Sequence, residues 1–278
     1  MVWISLQNTR STFSQRAFHA KDNLRGSEGG GIGKRGDTEI RKGCQTQITG
    51  FSGFIHTLLR ERIAVLKRVV ITGGTGGLGT AIVREFTGNG WQVVALGRKD
   101  LDLTDGEALR LFFTDTPCDL LVCCAGIIRD TPLTQMGAET WEEVIAVNYS
   151  TAQRCAAAAV PGMRERRRGH VVFISSQAAL HPAVGQSAYA VAKAALHGLA
   201  EDLATRHGDA GLRFNVVLPG FMETPMTRTV SAKRREQIRA AHLLEAFNTP
   251  AAAAAFIRFL EESMPYTSGQ VFRLDSRV

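Results

Sequence analysis

The chain has 278 residues and a formal net charge of +7, with 44% hydrophobic and 21% charged residues. Most of the excess positive charge lies in residues 1–66, which carry ten Lys or Arg against five Asp or Glu, whereas residues 67–278 carry 23 against 21. The basic character of the whole chain is therefore poor evidence for a nucleic-acid partner, and no apolar run is long enough to predict a membrane span.

Residues 1–66 are predicted to be a largely disordered N-terminal extension, because the glycine-rich stretch at 26–36 cannot build a core. The opening residues carry arginines and no acidic residue as far as Lys21, which resembles a mitochondrial transit peptide. The alternative is an overextended start, with the working chain beginning near Lys67. The five cysteines show no paired spacing, so a cytoplasmic location is expected, with the mitochondrial matrix as the alternative.

The first motif is a run of β-branched residues at 69–71, followed by a glycine cluster and then by apolar residues at helical spacing. This pattern predicts a strand, a tight turn and a helix. Glycines let the backbone approach a ligand closely, and the free N–H groups of a new helix suit a phosphate. The spacing of Gly73, Gly77 and Gly79 is wider than the common dinucleotide fingerprint, so a glycine-rich loop without a ligand is the alternative.

The next predicted strand, residues 91–96, is followed by Gly97, Arg98 and Lys99. In a dinucleotide-binding fold, an acidic residue at this strand end would bind the ribose 2′-hydroxyl of NAD. A guanidinium can instead bind a 2′-phosphate, so NADP(H) is expected in preference to NAD(H). The alternative is that Arg98 is an ordinary solvated charge.

The residues expected to carry chemistry are Ser176, Tyr189 and Lys193. A helix would place Tyr189 and Lys193 on one face, where the ammonium is expected to lower the pKa of the phenol. Such a phenol can exchange a proton during catalysis, and the Ser176 hydroxyl could hold a carbonyl oxygen against it. The same tyrosine–lysine spacing also occurs on ordinary surface helices, so this prediction depends on the glycine turn upstream.

With these motifs, the chain resembles the short-chain dehydrogenase/reductase family from Lys67 to the C-terminus, and 3-oxoacyl-acyl carrier protein reductases within it. The resemblance, like the alternation of strand and helix patterns, implies one α/β domain over residues 67–278 with a doubly wound, Rossmann-type parallel sheet. It also implies catalytic residues, which are Asn148, Ser176, Tyr189 and Lys193. The implied cofactor-binding residues are Thr72, Gly73, Thr75, Gly77, Leu78, Gly79, Arg98, Asp102, Ala125, Gly126, Asn148, Tyr189, Lys193, Pro219, Gly220 and Thr224.

The activity implied by the resemblance is NADPH-dependent hydride transfer to a carbonyl, with a 3-oxoacyl thioester as the expected substrate. Tyr189 would supply the proton, Lys193 would also bind the nicotinamide ribose, and Asn148 would hold a water that restores the proton through Lys193. Two alternatives stay open: a reductase or dehydrogenase acting on another small ketone or alcohol, and a non-catalytic NADP-binding sensor. The seven histidines show no metal spacing, and no metal site is predicted.

The chain departs from the family pattern at three points, one of which is Ser276-Arg277 after the last predicted strand, where glycines are usual. Cys123-Cys124 replaces two asparagines, and both thiols are expected to be buried as small apolar groups. Between Arg98 and Asp102 there is no room for the helix that normally joins the second and third strands. We therefore expect a shortened connection there and a rudimentary third strand.

The expected partners follow from the resemblance and the composition. Arg167 aligns with a basic position at which related reductases dock acyl carrier protein, although residues 207–210 lack the second basic position. A homotetramer is implied, built on helix faces around residues 141–160 and 189–205. Neither a nucleic-acid partner nor a membrane is expected.

Overall fold

The computed structural model describes residues 66–277. The predicted N-terminal extension lies outside the described residues apart from Leu66, so the domain boundary at Lys67 stays a prediction. Within the described range, no helix combines the length and the apolar character needed to cross a bilayer.

The strands of the described residues form one parallel sheet in the order β2-β1-β3-β4-β5-β6. Because β1 lies between β2 and β3, the direction in which the sheet grows reverses after β2, and ligands bind beside such a switch point. The strands are β1 (Arg68–Thr72), β2 (Gln92–Leu96), β3 (Leu120–Cys123), β4 (Gly169–Ile174), β5 (Leu212–Leu218) and β6 (Val271–Arg273).

Helices cover both faces of this sheet. Successive strand side chains point to opposite faces, so Val70 packs with α2, α4 and α5, whereas Val69 and Ile71 pack with α1 and α7. The predicted doubly wound α/β fold is therefore confirmed. The helices are α1 (Gly77–Gly88), α2 (Gly106–Asp115), α3 (Ala138–Ile145), α4 (Thr151–Glu165), α5 (Ser187–His207), α6 (Ala232–Ala240) and α7 (Pro250–Ser263).

The connection after β2 is short, as predicted. Residues 97–105 lead directly from β2 into α2 without a helix or a strand, and Leu101 and Leu103 pack against the core. The Asp105 side chain begins α2 by accepting hydrogen bonds from the N–H groups of Glu107 and Ala108. The expected rudimentary third strand is absent here, and β2 forms an edge of the described sheet.

The strand register brings four connecting segments together. Thr72 of β1 pairs with Cys123 of β3, and Cys123 pairs with Phe173 of β4, which in turn pairs with Val216 of β5. All these strands run the same way, so their carboxyl ends share one edge of the sheet. The segments that leave these ends therefore meet at this edge, and they contain most of the predicted site residues.

Candidate active site

Helix α5 presents Tyr189 and Lys193 on one face, as the spacing predicts. The Lys193 ammonium lies 5.7 Å from the centroid of the Tyr189 ring. Its Nζ donates a hydrogen bond of 3.0 Å to the carbonyl of Ile174, the last residue of β4. The Lys193 side chain is buried, whereas Tyr189 keeps part of its surface exposed. The structure thus holds the tyrosine–lysine pair at the carboxyl end of β4.

Ser176 lies two residues beyond the end of β4. Its Oγ accepts a hydrogen bond of 3.1 Å from the N–H of Ala178, which begins a short 3-10 turn. The same hydroxyl lies close enough to the Tyr189 phenol to lower its pKa. The structure therefore brings Ser176, Tyr189 and Lys193 together, and two hydroxyl groups are placed to bind one oxygen atom.

A second hydrogen-bonded pair lies directly beside this set. Ser175 Oγ donates to the backbone carbonyl of Lys193 at 3.0 Å and lies 2.9 Å from Nε2 of His197. Because the hydroxyl proton goes to the carbonyl, the imidazole N–H donates to Oγ. Sequence reasoning missed this pair, because no motif singles out Ser175 or His197.

The pKa of the phenol differs from the sequence-based expectation. Burial raises the pKa of Tyr189 to about 12, against the opposing effect of Ser176. The expectation that Lys193 lowers this pKa is therefore wrong for this structure. Burial also lowers the pKa of Lys193 to about 8, because its ammonium lies in surroundings poor in water. At neutral pH the Tyr189 phenol thus keeps its proton and acts as a donor.

Asn148 lies in a π-helical turn, Ala146–Ser150, between α3 and α4. Its Nδ2 donates to the carbonyls of Ile127 and Val144 at 2.9 Å each, and its Oδ1 accepts from the N–H of Ile127 at 3.2 Å. The side chain thereby fixes the segment that follows β3. Its predicted role in holding a water stays a prediction.

Gly126 lies between two of the predicted catalytic residues. A Cβ added there would lie 2.8 Å from Asn148 Oδ1 and 3.5 Å from Lys193 Nζ. A side chain at this position would therefore clash with the amide and contact the ammonium. The small residue keeps the space beside Lys193 open, which fits a ligand at this point.

The glycine turn after β1 is tightly packed against the segment after β3. Thr72 Oγ1 accepts hydrogen bonds from the N–H groups of Cys124 and Ala125 at 3.1 and 3.3 Å. Gly73 has a φ of +68°, and a Cβ there would lie 2.8 Å from the Ala125 backbone. A Cβ on Gly79 would lie 2.1 Å from the carbonyl oxygen of Gly73. Only glycine fits either position, so the turn keeps its shape.

The turn also meets the segment that follows β5. A Cβ on Gly77 would lie 2.7 Å from the Cβ of Thr224. The first turn of α1, which contains Gly77, Leu78 and Gly79, has no side-chain cap, so its N–H groups are available to an anion. This uncapped twelve-residue helix, at a switch point and beside Gly126, fits the phosphates of a dinucleotide.

The segment after β5 contains Pro219 and Gly220. The Pro219 carbonyl accepts a hydrogen bond of 2.8 Å from Asn248 Nδ2. Gly220 has a φ of +82°, and a Cβ there would lie 2.6 Å from the Cβ of Asp275. These contacts fix the path of the backbone toward Thr224. Thr224 in turn packs against Gly77 of the glycine turn.

At the end of β2, the Gly97 N–H donates a hydrogen bond of 2.7 Å to the carboxylate of Asp100. The Thr75 side chain lies 3.0 Å from the position that a Cβ on Gly97 would take. Arg98 is exposed. The structure thus brings Thr75 and Gly97 together, and it adds Asp100, which sequence reasoning missed because the contact depends on how the shortened connection turns.

Asp102 is exposed on the same connection. Its Oδ1 accepts hydrogen bonds from the Thr104 hydroxyl and N–H at 2.7 and 2.8 Å, and these bonds lower the pKa of Asp102. The structure therefore gives Asp102 a role in shaping the loop. Its predicted part in binding the cofactor stays a prediction.

The two cysteines that depart from the family pattern lie beside the site. Cys123 is buried and Cys124 is partly buried. Burial raises the pKa of the Cys124 thiol to about 11 and that of Cys123 well above its ordinary value. Both are thus neutral at physiological pH, which agrees with the expectation of small apolar groups.

Arg167 lies at the amino-terminal ends of the strands, whereas these residues lie at the carboxyl ends. It precedes β4, has a φ of +51°, and donates a hydrogen bond of 2.9 Å to the carbonyl of Asp209. The six residues of β4 separate it from Ser176, which corresponds to about 20 Å of strand. The structure does not bring the predicted docking residue together with the catalytic ones.

Comparisons with known proteins agree with this geometry. A family model described as short chain dehydrogenase matches residues 102–235, a range that contains the tyrosine–lysine pair but not the glycine turn. A protein named 3-oxoacyl-acyl-carrier-protein reductase MabA, from Mycobacterium bovis, is 31% identical over 227 residues, which are 76% of this chain and 92% of that protein. A protein named 3-oxoacyl-acyl-carrier-protein reductase FabG, from Thermotoga maritima, is 32% identical over 236 residues, or 75% and 96% of the two chains.

A solved structure gives the same result for the fold. It is a crystal structure of an oxidoreductase of the short chain dehydrogenase/reductase family from Burkholderia thailandensis. It superposes with a TM-score of 0.71 at 30% identity, over 76% of this chain and 92% of that one. Because this chain matches 92% and 96% of the length of relatives that are 31% and 32% identical, it belongs to the short-chain dehydrogenase/reductase family and is an oxidoreductase.

Proposed function

We propose that this enzyme reduces the carbonyl group of a 3-oxoacyl thioester with NADPH. The observation that carries the proposal is the meeting of Ser176, Tyr189 and Lys193 at the carboxyl end of β4, next to the glycine turn. The names of the relatives, which are 3-oxoacyl-acyl-carrier-protein reductases, support the choice of substrate class.

The residues around the turn would hold the cofactor, which supplies a hydride when bound. The first-turn N–H groups of α1, at residues 77–79, would bind its pyrophosphate. Arg98 would bind the 2′-phosphate, because its guanidinium is exposed beside the end of β2. Lys193 would bind the nicotinamide ribose, in the space that Gly126 leaves open. Pro219, Gly220 and Thr224 would close over the nicotinamide.

The chemistry of the chain's own groups is proton donation and stabilisation of charge. The hydroxyls of Ser176 and Tyr189 would bind the substrate carbonyl oxygen and stabilise the negative charge that develops on it. Tyr189 would then give its proton to that oxygen, since its raised pKa keeps it protonated beforehand. Lys193, with a pKa of about 8, can return a proton to the phenolate. Asn148 would hold a bound water that supplies a proton to Lys193.

The loop that joins Ser176 to α5 carries exposed apolar side chains. Leu180 and Val184 lie on the loop that joins Ser176 to α5, and both are exposed apolar side chains, Val184 at 94%. Apolar surface next to a small set of polar groups is typical of a site for a mainly apolar ligand. This surface favours an acyl thioester over a small polar ketone.

The proposed protein partners are acyl carrier protein and further copies of this chain. Docking at Arg167 would place the carrier at the amino-terminal ends of the strands, away from Tyr189. The substrate could then reach catalytic residues only on a long, flexible arm or at the site of a neighbouring subunit. A homotetramer formed by helix faces around 141–160 and 189–205 would supply such a neighbour. The proposal places the reaction in a reducing compartment, the cytoplasm, because the described cysteines are free.

The test is an absorbance assay of NADPH oxidation with an acetoacetyl thioester, with a simple ketone, or with no carbonyl. Oxidation that depends on the thioester and is lost in Tyr189→Phe is expected. Oxidation with the simple ketone alone would assign the enzyme to another substrate class. NADPH binding without oxidation in the presence of any carbonyl would contradict the catalytic proposal and favour the sensor.

A further inference from the structure

The turn that follows β2 returns a carboxylate to the strand end. Asp100 Oδ2 accepts the Gly97 N–H at 2.7 Å, and the Asp100 N–H donates to the Gly97 carbonyl at 3.3 Å. The same oxygen lies 3.2 Å from the position that a Cβ on Gly97 would take. The carboxylate therefore lies beside the position at which a side chain on residue 97 would begin.

That position has a defined meaning in dinucleotide-binding folds. An acidic residue at the end of the second strand binds the ribose 2′-hydroxyl of NAD and repels a 2′-phosphate. Gly97 itself provides no carboxylate, but Asp100 supplies one from three residues later. The Thr75 hydroxyl, 3.1 Å from the same Cβ position, confirms that this point lies beside the glycine turn.

The charges around this point are mixed. Arg98 and Lys99 are exposed on the same turn and attract a phosphate, whereas Asp100 repels it. All three side chains are exposed, so none is buried in the core. The sum of their charges decides whether NADP(H) or NAD(H) binds better. At the few ångströms that separate groups in a turn, one unit charge changes the affinity for an anion by about tenfold.

We propose that Asp100 is a specificity-determining residue for the cofactor, which lowers the preference for NADPH and lets the enzyme accept NADH. The inference rests on the proposed function only in taking the glycine turn as the dinucleotide site. It would make the choice of nucleotide depend on Asp100 as well as on Arg98.

The test compares two adenosine fragments, 2′,5′-ADP and 5′-AMP, by isothermal titration calorimetry on the full chain. We expect Asp100→Asn to bind 2′,5′-ADP about tenfold more tightly than the unmodified protein, with 5′-AMP unchanged or weaker. Arg98→Gln should weaken 2′,5′-ADP selectively. Asp115→Asn, which removes the same charge from an exposed site at the end of α2, is the matched control and should change neither affinity.

The outcomes separate cleanly. An equal change for both fragments, no change at all, or no binding of either fragment to any variant would overturn the inference. Fragment binding requires no carbonyl reduction, so the binding experiment still tests the role of Asp100 if the reductase assay fails. Asp100→Asn keeps an oxygen that can accept the Gly97 N–H, so an unchanged melting temperature is expected and shows that the turn is intact.

Discussion

Lys193 on α5 donates a hydrogen bond of 3.0 Å from its ammonium to the carbonyl oxygen of Ile174, at the end of β4. This contact ties the longest described helix to the centre of the sheet. The single carbonyl does not replace the water that the ammonium loses, since burial still lowers the pKa of Lys193 to about 8. The charge is therefore held at a cost in stability.

Replacing this lysine is expected to stabilise the fold while removing activity. Lys193→Met removes a buried charge and one hydrogen bond, and we expect the free energy of unfolding at pH 7 to rise by about 2 kcal/mol. Urea unfolding of the cofactor-free protein measures this change. Lys233→Met, at an exposed position on α6, is the control and should have little effect. A clear loss of stability in Lys193→Met would contradict the inference that the buried Lys193 charge destabilises the fold.

The same residue predicts how stability depends on alkaline pH. Lys193 has a folded pKa of about 8, below the value of about 10.4 for a free lysine, so the unfolded chain binds more protons between these values. The contribution of Lys193 to stability therefore rises with pH across that window. The stability difference between Lys193→Met and the unmodified protein should shrink from pH 7 to pH 10. A difference that stays constant would argue against this assignment.

Removing the phenol oxygen is expected to act on turnover rather than on binding. Tyr189→Phe should lower kcat by about 1,000-fold, because proton donation and one contact to the carbonyl oxygen are lost together. The dissociation constant for NADPH, from fluorescence titration, should change by less than about threefold. Tyr266→Phe is the matched control, since Tyr266 is fully exposed. Near-normal turnover in Tyr189→Phe would remove Tyr189 from the mechanism.

The stability of the fold is expected to be sensitive to acid because of a buried histidine near the start of β4. His170 Nδ1 lies 3.0 Å from Glu261 Oε2, and its Nε2 lies 3.0 Å from the Asn215 amide nitrogen. The same amide nitrogen donates a hydrogen bond of 2.9 Å to the carbonyl of Thr267, so it is a donor. His170 Nε2 therefore accepts a hydrogen bond from the amide, and Nδ1 carries the ring proton. The ring is thus neutral, and burial lowers the pKa of His170.

Because the folded pKa of His170 lies below its ordinary value, the unfolded chain takes up the proton first as the pH falls. The stability from this residue is present above about pH 6.5 and is lost below it. Urea unfolding from pH 7 to pH 5 should show this loss, and His170→Gln should show a flatter profile from a lower starting stability. An equally steep profile in the variant would assign the loss to other groups.

Local patterns predicted much of the fold, because the strand, turn and helix around Gly73 and the spacing of Tyr189 and Lys193 depend on near neighbours in the chain. The direction of the Tyr189 pKa shift could not be predicted in this way, since it depends on burial by segments remote in sequence. The return of Asp100 to Gly97 likewise depends on the turn adopted by a connection of unusual length. The distant position of Arg167, by contrast, follows from parallel strand direction and was within reach of sequence reasoning.

The loss of a strand beyond β2 also affects the behaviour of the protein in concentrated solution. Within the described residues, the five residues of β2 leave one row of backbone donors and acceptors without a neighbouring strand. Such a row is a template for β-augmentation, in which an extended peptide adds itself to the sheet. Colloidal stability of this enzyme is therefore expected to depend on the solvation of Gln92–Leu96.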